Sequence, residues 1–361
     1  MTDRLTTLLS ERPWLLADGA TGSNLFDRGL QSGDAPELWN VEYPERVAAL
    51  HRAFVEAGAD IILTNTFGGT RHRLKLHKAE NRVAELNEAA ARLARGEADR
   101  VAGDPVAGDP VKRTVLVAGS MGPTGEILEP LGPLTLESAR EAFAEQAAAL
   151  KNGGADLLWI ETMSSVEETE AAVAGARTTG LPVVATLSFD TNGRTMMGIT
   201  PSQLAELHRR NHLAACGSNC GTGPAELVAC IVNLATASEP TAILVAKANC
   251  GIPQFVNGAI RFDGTPELMA EYACLSLDAG ARIIGGCCGT TPDHLRVMRL
   301  ALESHVRGAM PDLATIQSRL GAISTGAMAQ LRGELSRQAG AAAGATVRRS
   351  TSRRGARAEN P

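Results

Sequence analysis

No apolar run in these 361 residues approaches the roughly 18–20 needed to cross a bilayer. The first thirteen residues also lack the apolar centre of a secretory signal. Neither a membrane span nor an export leader is expected. Seven cysteines, without the close spacing of a disulfide framework, point to a reducing compartment, with the cytoplasm as default. Acidic residues outnumber basic ones by 40 to 35, and the net charge of −5 gives the folded body no electrostatic case for nucleic acid. Aromatic residues make up 3% of the chain, with only two tyrosines, Tyr43 and Tyr272, so a cage for a quaternary ammonium ligand has few candidates. What is present is an ordinary globular composition, 44% hydrophobic and 21% charged, sufficient for one large barrel or two medium domains.

Apolar segments predict strands at 14–20, 60–66, 114–119, 156–163, 182–189, 213–220, 242–249 and 282–287. Alanine-rich helical segments lie between them. Val47, Leu50, Phe54 and Ala57 recur at helical spacing, Thr135 suits the N-cap of a helix over 136–152, and Pro292 opens another over 292–302. Gly58, Gly154 and Gly280 each stand between a helix and the next strand, as C-cap glycines do. Eight alternations over some 300 residues predict a (β/α)8 TIM barrel, the α/β class whose chemistry sits at the C-terminal strand ends. A doubly wound sheet is the competitor, but Asp18-Gly19-Ala20-Thr21-Gly22 lacks the full dinucleotide-binding pattern. The barrel is expected over 1–307. The tandem VAGDP of 101–110 reads as a surface loop, and 308–361 as an extension with a weak helix within 313–337 and then a disordered basic tail.

The most informative stretch is Gly285-Gly286-Cys287-Cys288-Gly289. Adjacent cysteines at a strand end cannot easily bond each other, but they can offer two thiolates to one ion. Cys220, in Gly217-Ser218-Asn219-Cys220-Gly221, ends another strand with the same glycine-flanked look. In a closed barrel the sixth and eighth strands flank the seventh, so the three sulfurs can converge. Three thiolates with one position open describe a catalytic Zn2+ site. Cys216, Cys230, Cys250 and Cys274 read as core fillers. An ion so neutralised activates water poorly, but it can bind an incoming thiol as thiolate and leave it nucleophilic, which suits thiol alkylation.

These residues resemble the zinc-dependent homocysteine S-methyltransferase family over about 14–304. Supporting signatures are Asp18-Gly19-Ala20-Thr21-Gly22, Thr64-Asn65-Thr66-Phe67, Ile160-Glu161-Thr162, Gly217-Ser218-Asn219-Cys220 and Gly285-Gly286-Cys287-Cys288-Gly289-Thr290. The resemblance implies a barrel enzyme with zinc on Cys220, Cys287 and Cys288, making L-methionine from L-homocysteine. It further implies that Asp18, Glu161 and Asn219 bind substrate, and that Asn249 fills the fourth zinc position at rest. From spacing alone Asn249 reads equally as a turn residue.

The methyl donor divides the family. Betaine enzymes carry tyrosines where this chain has Gly68 and Thr162, although Phe67, Trp39 and Trp159 could rebuild part of a cage. Thr64-Asn65-Thr66-Phe67, Gly193-Arg194-Thr195 and Ala248-Asn249-Cys250-Gly251-Ile252-Pro253 look closer to the homocysteine module of cobalamin-dependent methionine synthase. The Asp-x-His-x-x-Gly signature of a cobalamin domain is absent. The expected donor is therefore a methylcorrinoid on a separate corrinoid-binding protein, and the alternative is betaine or another onium compound such as dimethylsulfoniopropionate. Two other readings stand beside these: a zinc–thiol binding module without turnover, and a zinc-free aldolase-like barrel using Lys247. A homo-oligomer stands as a further partner expectation, which the sequence leaves open.

Overall fold

The computed structural model describes residues 3–103, 113–256 and 259–334. Among the described residues there are ten strands: β1 (Leu15–Leu16), β2 (Ile61–Leu63), β3 (Leu116–Met121), β4 (Leu157–Met163), β5 (Val183–Leu187), β6 (Ala215–Cys220), β7 (Leu244–Ala248), β8 (Pro253–Val256), β9 (Ala259–Phe262) and β10 (Ala281–Gly286). Eight of them form a parallel sheet in the order β1-β10-β7-β6-β5-β4-β3-β2. A bridge between Ala17 and Ile61 brings its two edges together, so the sheet is the expected barrel.

Side chains alternate across a strand, and that period of two sorts the core into two shells. Leu15, Ile61, Leu116, Leu157, Val184, Ala215, Val245 and Ile283 fill the barrel interior, which Leu5, Leu8 and Leu9 of the helix Arg4–Glu11 close from below. Alternate residues such as Leu158, Ile160, Cys216 and Ile284 pack outward against the helices. Trp159 belongs to the inner shell. It is fully buried two residues before Glu161, and its indole N–H donates to Thr186 Oγ1 at 3.1 Å.

The helix Leu136–Asn152 begins where the sequence placed it, with Thr135 Oγ1 accepting from the Ser138 N–H at 3.0 Å. Gly58, Gly154 and Gly280 adopt φ of +109°, +103° and +106°, the left-handed cap that turns each helix into its next strand. The first two strands are shorter than expected, because their ends bend into hydrogen bonds with other groups: the Leu63 N–H donates to Asp18 Oδ2, and the Ala20 N–H to the Thr290 carbonyl. The antiparallel hairpin β8–β9, inserted after β7, was not anticipated. In place of one weak helix, the extension forms Leu313–Leu320 and Thr325–Leu331, separated at Gly321. Ile316, Leu320 and Ile323 join the outer core, while Glu226 accepts from the Ser324 N–H at 2.9 Å. Most of the VAGDP repeat and the basic tail lie outside the described residues.

Gly217 permits the close approach of β6 and β7 on which the site depends. A Cβ there would stand 1.9 Å from the Val245 carbonyl oxygen. Gly217→Ala is expected to cost about 1–3 kcal/mol through overpacking, read as a lowered denaturant midpoint at unchanged slope.

Candidate metal centre and cavity

Cys220 is the last residue of β6, and Cys287 and Cys288 follow β10 directly. Both strands pair with β7, so their ends reach the same height on either side of it. Cys220 has φ +62° and Gly221 φ +77°, a sharp left-handed turn that a non-glycine residue adopts only under constraint. Asn249, just beyond β7, supplies that constraint. Its Nδ2 donates to the Gly221 carbonyl at 2.6 Å, and its Oδ1 accepts from the Cys288 N–H at 3.1 Å. The Cys287 N–H donates to the Ala248 carbonyl at 2.6 Å, and the Cys250 N–H to that of Cys288 at 2.8 Å.

The three sulfurs meet. Cys220 Sγ lies 3.6 Å from Cys287 Sγ and 3.7 Å from Cys288 Sγ, and all three fall within 4.8 Å of one another. Two thiolates about 2.3 Å from a tetrahedral ion would stand roughly 3.8 Å apart, so the trio fits a zinc-sized cation. Its electrostatics point the same way. Hydrogen bonds from the Cys220 and Cys288 thiols, aided by Lys247, hold Cys287 well below the usual thiol range. The hydrogen bonds Cys220 shares with Cys287 and Cys288, together with burial, push Cys220 upward. Without a cation the cluster can carry one negative charge comfortably, but not three. The other four cysteines are buried and separate, as expected of core fillers.

Beside the sulfurs lies a buried charge group. Lys247, facing inward from β7, sits 3.2 Å from Asp18 Oδ1 and donates to the Gly19 carbonyl at 3.3 Å. Burial opposes its charge, but Asp18, Cys287 and Glu161 outweigh that and hold its pKa up. Glu161, 8% exposed, accepts from Ser120 Oγ at 2.5 Å. Burial pushes its carboxyl up to about 7 against the opposing pull of Lys247.

A cavity of about 340 Å3 opens over this group. Glu161, Lys247 and the three cysteines line it, together with Glu37, Phe67 and Arg73. Asp18 and Asn219 stand behind the lining. Asp18 anchors Lys247 and the Leu63 N–H. Asn219 accepts from the Thr162 N–H at 2.8 Å and donates to Thr162 Oγ1 at 2.6 Å, holding Thr162 at φ +61°. Asn249 is occupied by the two backbone contacts already described. The partial aromatic cage is not formed: Trp159 lies in the barrel floor, and Trp39 is buried with Arg46 stacked on its ring. Phe67 alone of the three reaches the cavity. The sequence offers Lys247 as an aldolase lysine, whereas the structure places it in this site. Its place two residues before Asn249 on an inward-facing period was the available signal. Glu37 and Arg73 come from short helical turns in the connections after β1 and β2 and gave no such signal.

Fold and site together define a (β/α)8 protein with a thiol-floored cavity at the C-terminal strand ends. A family model described as homocysteine S-methyltransferase matches residues 15–302, and the chain belongs to that family. It is 32% identical over 324 residues to methionine synthase of Mycobacterium leprae and 31% over 314 to that of Mycobacterium tuberculosis. These matches cover 86% and 83% of the chain, but only 26% and 25% of those longer proteins. Among solved structures, the homocysteine methyltransferase MmuM from Escherichia coli, in its metallated form, superposes with a TM-score of 0.67 at 26% identity, covering 82% of this chain and 99% of MmuM. The oxidized form gives 0.67 at 27%, covering 83% and 99%.

The Lys247–Asp18 pair can be tested apart from any activity. Lys247→Met should destabilise the fold by about 3–5 kcal/mol in denaturant melts, because it strands a buried carboxylate. Adding Asp18→Asn should recover most of that loss.

Proposed function

We propose that the chain methylates the thiol of L-homocysteine to give L-methionine, with Zn2+ held by Cys220, Cys287 and Cys288. The meeting of three thiol sulfurs, with Cys220 3.6 Å from Cys287 and 3.7 Å from Cys288, in a cavity also lined by Glu161 and Lys247 carries this reading. A bound Zn2+ would supply the positive charge that keeps the substrate thiol ionised near neutral pH. Glu161 faces the cavity with a carboxylate suited to the substrate ammonium. Lys247 offers a fixed positive charge beside Cys287, steadying the sulfur-rich end. Asn249 acts on backbone, setting the turn that aims Cys220, while Asn219 holds Thr162 by its N–H and Oγ1 and also donates to Cys287 Sγ at 3.9 Å.

Of the two donor classes, the size of the cavity suits a small onium compound such as betaine, held by charged groups and Phe67 and not by an aromatic cage. Its volume lies at the low end of the roughly 300–1,000 Å3 of ligand pockets, suited to two amino-acid-sized molecules. The second reading is a methylcorrinoid presented at the cavity mouth by a corrinoid-binding partner, supported by the 32% identity with a methionine synthase. Initial rates with zinc, homocysteine and each donor in turn separate them. Methionine formed from betaine without any corrinoid supports the first, and methionine formed only from a methylcorrinoid supports the second.

Either Cys287→Ala or Cys288→Ala should lower bound zinc below one per chain and abolish methionine formation, with the circular dichroism of the barrel unchanged. Full activity in either variant would refute the three-sulfur assignment.

A further inference from the structure

Part of the cavity lining comes from the turn Pro36–Leu38 and the helical turn Arg71–Lys75 after β2. Two groups on it have no role in holding the metal or the barrel. Arg73 lines the cavity with a guanidinium that, among the described residues, makes no hydrogen bond and no ion pair. Its neighbour Arg71 is by contrast paired with Glu145 at 2.8 Å. Five N–H donors at a cavity surface without a partner are unusual for a side chain that pairs so readily.

Glu37 is 6% exposed, and its Oε1 accepts from the Gly68 N–H at 2.6 Å. Burial raises its pKa, opposed by the Glu37 and Gly68 backbone N–H groups and, more weakly, by Arg73 and His77. Carboxylate and guanidinium therefore sense each other without pairing. Glu37 is buried and Arg73 half-buried, so both charges remain free for a ligand that can meet them together. Phe67 adds one aromatic face, its ring packed over Gly122, where a Cβ would stand 2.6 Å from Phe67 Cδ2.

We infer that Arg73 and Glu37 are the specificity-determining residues for the methyl donor. Arg73 grips the donor's carboxylate and Glu37, with the face of Phe67, takes its cationic centre, so the site selects small onium carboxylates over cations that lack the acid group. The inference rests on the onium reading above and names the groups that enforce it. A zwitterion satisfies both charges at once: a carboxylate suits the planar guanidinium fork, and an onium centre suits a carboxylate beside an aromatic face. The transfer balances without a further reactant. The homocysteine thiol has already lost its proton to solvent. A C–S bond forms to the methyl carbon as its bond to the onium nitrogen or sulfur breaks, the electron pair staying on that atom. The donor leaves as a neutral tertiary amine or thioether at its former cationic centre, with its carboxylate still on Arg73.

The test uses the full-length, zinc-loaded protein with homocysteine, compared with its Arg73→Ala and Arg73→Lys variants. Betaine binding is followed by calorimetry and turnover by initial rates, with choline as the onium lacking a carboxylate. Arg73→Ala should raise both Kd and KM for betaine by about 10- to 100-fold, the loss expected for a charge-assisted contact. Zinc content and homocysteine Kd should stay unchanged, Arg73→Lys should recover part of the loss, and choline binding should be the same in all three proteins. Betaine binding that Arg73→Ala leaves unaltered would overturn the inference. So would a wild-type protein that binds homocysteine but not betaine, with the homocysteine reading left standing. A protein that binds no homocysteine would remove that reading first, and this inference with it.

Discussion

Everything at the cavity floor depends on one register. Because β6 and β10 both pair with β7, the residue that ends β6 and the residues that follow β10 emerge at the same level, one strand apart. Parallel pairing alone would bring them near each other. Asn249 makes them meet, with one amide tied to the backbone after Cys220 and to the backbone N–H of Cys288. The left-handed turn at Cys220 is a local strain that this asparagine and the following glycine hold in place. Three sulfurs on the ends of rigid strands are better placed for a fixed ion than three on a loop.

The second organising feature is charge kept out of water. Asp18, Lys247, Glu161 and the sulfur trio form one electrostatic group in which burial works against every ionised member. Lys247 makes the group tolerable by standing between carboxylates and sulfur. The same low-dielectric setting strengthens whatever charge a ligand brings, so a small zwitterionic amino acid gains more here than at an exposed surface. The outer wall repeats the theme with Glu37 and Arg73, but leaves them unpaired with each other.

Much of this was legible in the chain. Glycine-flanked strand ends picked out Cys220, Cys287 and Cys288, and helix caps such as Thr135 and Gly154 located the alternating elements, because both signals are local. The period of two, applied to β4 and β7, would also have placed Trp159 in the floor and Lys247 in the wall. Glu37 and Arg73 stayed hidden for a physical reason: they lie on short helical turns whose approach to the cavity is decided by tertiary packing. The hairpin β8–β9 and the docking of the extension through Glu226 and Ser324 were missed for the same cause. Asp18 and Asn219, which the resemblance assigns to substrate, contact groups that line the cavity, Lys247 and Thr162.

The most direct test of the central claim is X-ray absorption at the zinc edge of the metal-loaded protein, recorded before and after adding L-homocysteine. Three sulfur neighbours with one lighter atom, rising to four sulfurs when the substrate binds, is the outcome this account requires. Fewer than three sulfurs at rest, or a shell indifferent to homocysteine, would contradict it.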